Sequence, residues 1–224
     1  MMDAFTPRRE LLPPAQQGLW PLLAPAAELG FVLYGGTAIA LRLGHRTSVD
    51  FDFFSSRPLD RRALSAALPF THTATALQAT PDTLTFLTFV PDTAPNEVKV
   101  SFFAMPGFGR IGKPERTDDG VLRIASPLDL LATKLKTILQ RAESKDYRDI
   151  AALLRAGGDL ATGLGAARAL FGPSFQPGEA LKALVYFADG DLPALDTQDQ
   201  TLLMRASSHV GDLPHLQVAS PRVD

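Results

Sequence analysis

The sequence predicts an α/β protein: a mixed twisted sheet flanked by helices, followed by a C-terminal helical domain. Three observations predict it. Short apolar or Thr-rich runs of strand length, separated by turn residues, recur between positions 31 and 124. A helix-forming stretch lies between the first two of these runs. Beyond Ser126-Pro127 the Thr-rich runs stop, and apolar residues repeat at three- and four-residue steps instead. With 224 residues, 46% of them apolar, the chain is long enough to bury a substantial core.

The first element expected is a helix over Ala15 to Leu29, split or kinked by Pro21 and Pro25, with Gly30 as its stop. Phe31 to Tyr34 is a short apolar strand ending at Gly35-Gly36, and Thr37 to Leu43 is a helix stopped by Gly44. From Arg46 to Phe54 the residues alternate. Arg46, Ser48, Asp50 and Asp52 share one face, and Val49, Phe51 and Phe53 the other, so the stretch predicts one strand with a polar side and a core side. A surface helix follows at Leu59 to Leu68. Strands are expected at Thr71 to Gln78, Thr83 to Val90 and Glu97 to Phe103, with turns at Pro81-Asp82 and Pro91-Asp92. After a Gly- and Pro-containing loop over Met105 to Pro114 comes a short strand at Val121 to Ile124.

Ser126-Pro127 reads as an N-cap with proline in the first helical turn, and the domain boundary is placed there: 1–125 as the sheet domain, 126–224 as the helical domain. Helical spacing runs through Leu128, Leu131, Leu135, Ile138 and Leu139, then through Tyr147, Ile150, Ala151 and Leu154. Two more helices are expected near Leu160 to Leu170 and Pro177 to Phe187. The tail beyond Arg205, polar and proline-containing, is expected to be loosely ordered.

Composition excludes several chemistries. Zero cysteines rule out disulfides and thiolate metal sites, and four scattered histidines offer no chelating spacing, so any metal must bind carboxylate oxygens. The longest apolar stretches fall short of the ~20 residues of a spanning helix, and the N-terminus lacks the features of a secretory signal. A cytoplasmic location is expected. A net charge of -2 argues against a surface coated in positive potential, although a local basic face remains compatible with a nucleotide or RNA ligand.

The informative feature is an order of elements: strand, Gly35-Gly36, helix, then a strand carrying Asp50-Phe51-Asp52. A glycine pair lets backbone N–H groups approach phosphate oxygens, and the helix that follows directs its positive end at the same anion. Two aspartates at i and i+2 of a strand point to one side, where their oxygens can hold Mg²⁺ or Mn²⁺. Each feature also has a plain reading, a tight turn for the glycines and a solvated strand face for the aspartates. The apolar opposite face of Val49, Phe51 and Phe53 favours a strand packed on a core, with adjacent carboxylates that call for a cation between them.

These residues resemble a known family. Tyr34-Gly35-Gly36-Thr37-Ala38-Ile39-Ala40, followed by Arg46-Thr47-Ser48-Val49-Asp50-Phe51-Asp52-Phe53-Phe54, is similar to the AbiEii/AbiGii toxin branch of the nucleotidyltransferases. Lys134, Arg141, Lys145-Asp146 and Asp149 are similar to that family's helical motif. The resemblance implies a polymerase-β-like sheet with a helical domain, Mg²⁺ (or Mn²⁺), and transfer of a nucleoside monophosphate from a nucleoside triphosphate to RNA, such as tRNA, or to protein. It implies a bacterial toxin with a cognate antitoxin. Carried across, Asp50 and Asp52 would bind metal, and Gly35, Gly36, Thr37, Arg46 and Ser48 would border the nucleotide. Lys134 would meet phosphate, and Lys145 and Asp146 would complete the cleft. On spacing alone Lys134, Ile138, Arg141, Lys145 and Asp149 share one stripe of an unbroken helix, whose plain reading is a solvated face with weak ion pairs.

One departure from the family pattern stands out. Enzymes of this fold use a third carboxylate on a later strand as a proton acceptor, and Ser101 occupies that position. Serine supplies no anionic ligand. Glu97, four residues away and ~13 Å along a strand, is too far to replace it. The base could come from Asp129, Asp146 or water, the enzyme could work with one metal, or the site could only bind nucleotide. Phe53-Phe54 and Phe102-Phe103 are assigned to the core.

Overall fold

The computed structural model describes residues 4–93 and 96–224. The chain forms two compact units. The first takes the described residues up to Gly109, then Lys113–Ser126 and Ser220–Asp224; the second takes Arg110–Gly112 and Pro127–Ala219.

In the first unit the predicted opening helix is broken as its prolines dictate. α1 spans Pro14–Leu19, a 3₁₀ segment follows over Trp20–Leu23, and α2 spans Ala24–Glu28, with Pro21 and Pro25 each sitting in a first turn, where a missing N–H costs nothing. β2 (Val32–Tyr34) runs straight into α3 (Gly35–Leu43), which Gly44 ends in the left-handed conformation at φ 68°. β3 is Asp50–Ser55 and α4 is Arg61–Ala67, capped by the Asp60 carboxylate. β4 (Thr75–Thr80), β5 (Thr83–Phe89) and β6 (Glu97–Ala104) form an antiparallel meander. Two short strands escaped the sequence reading, β1 (Ala4–Phe5) and β7 (Glu115–Thr117), beside β8 (Arg123–Ile124).

The eight strands among the described residues join one mixed sheet in the order β1-β7-β8-β2-β3-β6-β5-β4. β3 therefore lies between antiparallel β2 and parallel β6. Alternation along β3 sends Phe51 and Phe53 to one face, where Phe53 stacks on Phe102 at 5.3 Å and Phe51 lies 6.4 Å from Trp20. Those rings are almost fully buried, and they anchor the strand so that Asp50 and Asp52 must face the other way. The phenylalanine pairs divide: Phe53 and Phe102 are buried core, while Phe54 and Phe103 are half-buried on the aspartate side, with Phe54 stacked on Tyr34 at 4.8 Å.

Two expectations for this region are corrected. The strand predicted from Arg46 begins only at Asp50, and Val49, expected on the core side, is 56% exposed. Residues 71–74 precede β4 instead of belonging to it, because Pro69–His72 form a 3₁₀ turn.

The second unit is helical: α5 (Pro127–Thr137), α6 (Ser144–Arg155), α7 (Leu160–Phe171), α8 (Pro177–Leu184) and α9 (Thr197–Ser208). α7 crosses α5 closely through Gly163, where a Cβ would lie 2.5 Å from Leu131. α9 extends into the segment expected to be loose. The chain end is also tied into the first unit, where Val223 is fully buried, its N–H donates to Ser56 Oγ, and Asp224 pairs with Arg57 at 2.8 Å.

Candidate active site

The two aspartates lie on one face of β3 and both are partly exposed, as is the glycine corner at Gly35 and Gly36. The register places Tyr34, the residue before the corner, directly opposite Asp52. Gly35 has φ +74°, and a Cβ there would come within 2.8 Å of an Asp52 carboxylate oxygen. Glycine is required twice over, by its backbone angle and by the carboxylate against it. A Cβ on Gly36 would overlap an Arg46 guanidinium nitrogen and lie 3.0 Å from Ser48 Oγ. Arg46 and Ser48 are thus brought to the corner by the loop before β3, although neither is in the strand. Thr37 is buried, and its hydroxyl donates to the Asp50 carbonyl, fixing the first turn of α3 to the start of β3. Gly35, Gly36, Arg46, Ser48, Asp50 and Asp52 form one polar cluster around the corner, with Thr37 beneath it.

The cluster contains a residue that the sequence reading missed. Lys99 on β6 is in register with Asp50, and its Nζ lies 2.9 Å from the Asp50 carboxylate. Both side chains are partly exposed. The next same-face position of β6 is Ser101, in register with Asp52, 2% exposed and within 3.3 Å of the Thr85 hydroxyl. Where a third carboxylate was expected, two hydroxyls meet. Glu97 pairs with Phe89 at the far end of the strand. Lys99 was detectable only through the pairing of strands distant in sequence, which alternation within one strand does not report.

In the helical unit the predicted stripe does not exist as one surface. α5 ends at Thr137 and α6 starts at Ser144, so Lys134 and Asp149 sit on different helices. Lys134 is buried, with Nζ 2.6 Å from Asp146 and 2.7 Å from Asp149, and both carboxylates are completely buried. Arg141 reaches Asp146 at 2.9 Å, and Lys145, half-exposed, pairs with Glu143 at 2.7 Å. Asp129 is buried and accepts from the Ile111 and Gly112 N–H groups, one on each oxygen. Asp129 and Asp146, the two side chains considered as alternative bases, are thus both engaged inside this unit.

The model of one family, described as the nucleotidyl transferase AbiEii toxin of type IV toxin–antitoxin systems, matches residues 20–208. The chain belongs to that family. An uncharacterized protein of Aquifex aeolicus is 35% identical over 130 residues, which span 57% of this chain and 59% of that relative. Among solved structures, this AbiEii-family chain is similar to a candidate nucleotidyltransferase from H. pylori, with TM-score 0.58, 16% identity, and coverage of 87% of this chain and 92% of the other. It is also similar to the nucleotidyltransferase toxin MenT4 from Mycobacterium tuberculosis, with TM-score 0.56 and 12% identity over 88% and 84% of the two chains. An antigenic nucleotidyltransferase-like protein of Paracoccidioides brasiliensis gives 0.51 and 17% over 92% and 96%. At such identities these likenesses establish the fold, a nucleotidyltransferase sheet flanked by helices. Among the described residues no helix is long and apolar enough to cross a membrane.

Proposed function

We propose that this chain is a toxin that transfers a nucleoside monophosphate from a nucleoside triphosphate to an RNA or protein acceptor in the bacterial cytoplasm, restrained by a cognate antitoxin. The observation that carries the reading is the approach of Asp52 to Gly35, which joins the carboxylate face of β3 to a glycine corner at the start of a helix. The family's toxin–antitoxin description supports the antitoxin as partner.

The donor set fits one Mg²⁺ or Mn²⁺. Two carboxylates on one open face are a sufficient protein contribution for an ion that keeps waters and takes phosphate oxygens. Among the described residues no group of three or more His, Cys, Asp or Glu could hold a metal ion, so phosphate and water would supply the remaining ligands. Asp50 and Asp52 would hold the ion, which would supply charge stabilisation at the phosphates. The first-turn N–H groups of α3 bind triphosphate oxygens, with Arg46 adding positive charge at Gly36 and Ser48 a hydroxyl. The acceptor oxygen forms a bond to the α-phosphorus as the bond to the bridging oxygen breaks. Pyrophosphate leaves with that electron pair, and the acceptor's proton passes to water, since Ser101 accepts none. Lys134 and Asp146 enter the reading as a buried pair that fixes α5 on α6, and Lys145 as an exposed cation suited to an anionic substrate.

The test is incubation of purified protein with Mg²⁺, each labelled NTP, and bulk tRNA or total protein. Label transfer lost in Asp52→Asn is the expected result. Absence of transfer to either acceptor, alongside an active relative, overturns the catalytic reading. The Ser101–Thr85 hydroxyl pair favours a second reading, a module that binds nucleotide or partner without turnover. Calorimetry would then show nucleotide binding with no product.

A further inference from the structure

We propose that Lys99 is a fixed cation that takes the place of a second metal ion, so that the Asp50–Asp52 face admits a single divalent ion. The inference rests on the nucleotidyltransferase reading of that face. Three observations lead to it. Lys99 Nζ is 2.9 Å from the Asp50 carboxylate, so that ligand is already paired with a charge that belongs to the protein. The strand register sets Lys99 beside Asp50 and Ser101 beside Asp52, so the ammonium and the missing carboxylate are same-face neighbours on one strand. Ser101 is buried against the Thr85 hydroxyl, so this position adds no anion of its own to attract another cation.

Charge then decides occupancy. Before nucleotide enters, two carboxylates carry -2, while one divalent ion, the Lys99 ammonium and the Arg46 guanidinium at the corner contribute +4. A second divalent ion would raise this to +6 against the same two carboxylates, and two divalent ions ~4 Å apart repel by about 4 kcal/mol even in water, four times the value for unit charges. A third carboxylate would lower the cost, and serine does not. Lys99 acts through Asp50 and is a positioning residue: it holds that carboxylate and sets the charge that an incoming ion meets.

The test counts Mn²⁺ bound to the full chain by electron paramagnetic resonance, without nucleotide and with a nonhydrolysable analogue of each NTP. Without nucleotide the wild type is expected to bind one ion per chain. Lys99→Met is expected to bind Mn²⁺ several-fold more tightly without nucleotide, by about fivefold for the loss of one partly screened repulsive charge. Lys99→Arg, which keeps the charge, is expected to match the wild type. Ser101→Asp alone should still bind one ion, and Lys99→Met combined with Ser101→Asp should bind two. Unchanged Mn²⁺ affinity in Lys99→Met, or two ions in the wild type without nucleotide, overturns the role of Lys99 while leaving the nucleotidyltransferase reading standing. A wild type that binds no Mn²⁺ with or without nucleotide overturns both. If Ser101→Asp does not fold, the comparison of Lys99→Met with Lys99→Arg decides alone.

Discussion

Two groups among the described residues each set two aspartates and a lysine together, and they behave as opposites. In the first unit Asp50, Asp52 and Lys99 line an open sheet face, with Lys99 41% and Asp50 33% exposed. In the second, Lys134 sits between Asp146 and Asp149, and both carboxylates are fully buried. Composition is the same and solvent differs. Water screens the first group, so its ion pair adds at most ~1 kcal/mol to stability and remains exchangeable for an incoming cation. The second group has given up its hydration and depends on its own partners to offset that loss. A paired-carboxylate motif therefore marks a ligand site only where the carboxylates have not already been closed over by the fold.

The comparison breaks most sharply at Lys134. Lys134→Met leaves two buried carboxylates without their ammonium, and a loss of ~3–5 kcal/mol is expected in chemical denaturation. Lys99→Met should cost less than ~1 kcal/mol in the same assay. Equal losses would refute the contrast. Asp52→Asn is expected to lower Mn²⁺ affinity and transfer by more than ~100-fold, beyond the usual loss for an outer-shell partner, with little change in stability. Gly35→Ala should fail differently. With φ +74° and a Cβ against Asp52, it is expected to cost ~1–3 kcal/mol and to weaken Mn²⁺ binding by displacing the carboxylate. An alanine variant with wild-type metal affinity would show that the corner does not position Asp52.

The smallest effects concern pH, and they fall on the helical unit. Hydrogen bonds from the Ser144 hydroxyl and N–H hold the Asp191 carboxyl below its usual value of 3.8. A carboxyl depressed in the folded state stabilises above the unfolded value, and that contribution disappears as pH falls through the folded one. Asp191→Asn should therefore flatten the acid limb of unfolding below about pH 4. At the other limb, burial and then the Asp146 and Asp189 charges push the Tyr147 phenol up to about 12. Here the sign reverses: stability is complete below the unfolded value of 10 and declines as pH rises towards 12. Tyr147→Phe should lose that alkaline decline, as followed by circular dichroism. Its hydroxyl also donates to the Ala183 carbonyl, so a modest neutral-pH loss of ~1 kcal/mol is expected as well.

Much of this was legible in the sequence, for reasons that particular residues make plain. The alternation of Asp50 to Phe53 determined which side chains face the core, and Gly35, Gly44, Pro21 and Pro25 marked element ends through backbone constraints that operate locally. Ser101 was placed at the third position through the family resemblance, and the strand register sets it beside Asp52. Features set between distant segments were not legible. Ile138 to Glu143 contain neither Gly nor Pro, and propensity favours continuing the helix there. At the restart, the Ser144 N–H donates to Asp191, 47 positions away, a contact that local propensity does not report. Lys99 meets Asp50 through strand register, and Arg46 and Ser48 reach Gly36 by loop geometry. β1 and β7, two and three residues long, are too short for any periodicity to show.

The chain's return to its starting unit has a practical consequence for dissecting the protein. Residues 220–224 belong with the sheet, through the Val223 side chain and the Asp224–Arg57 bond, whereas 110–112 belong with the helices. Gene truncation at position 126 would excise a plug from the very half it was meant to isolate. Separating the halves intact would require grafting the last five residues back, for instance by circular permutation.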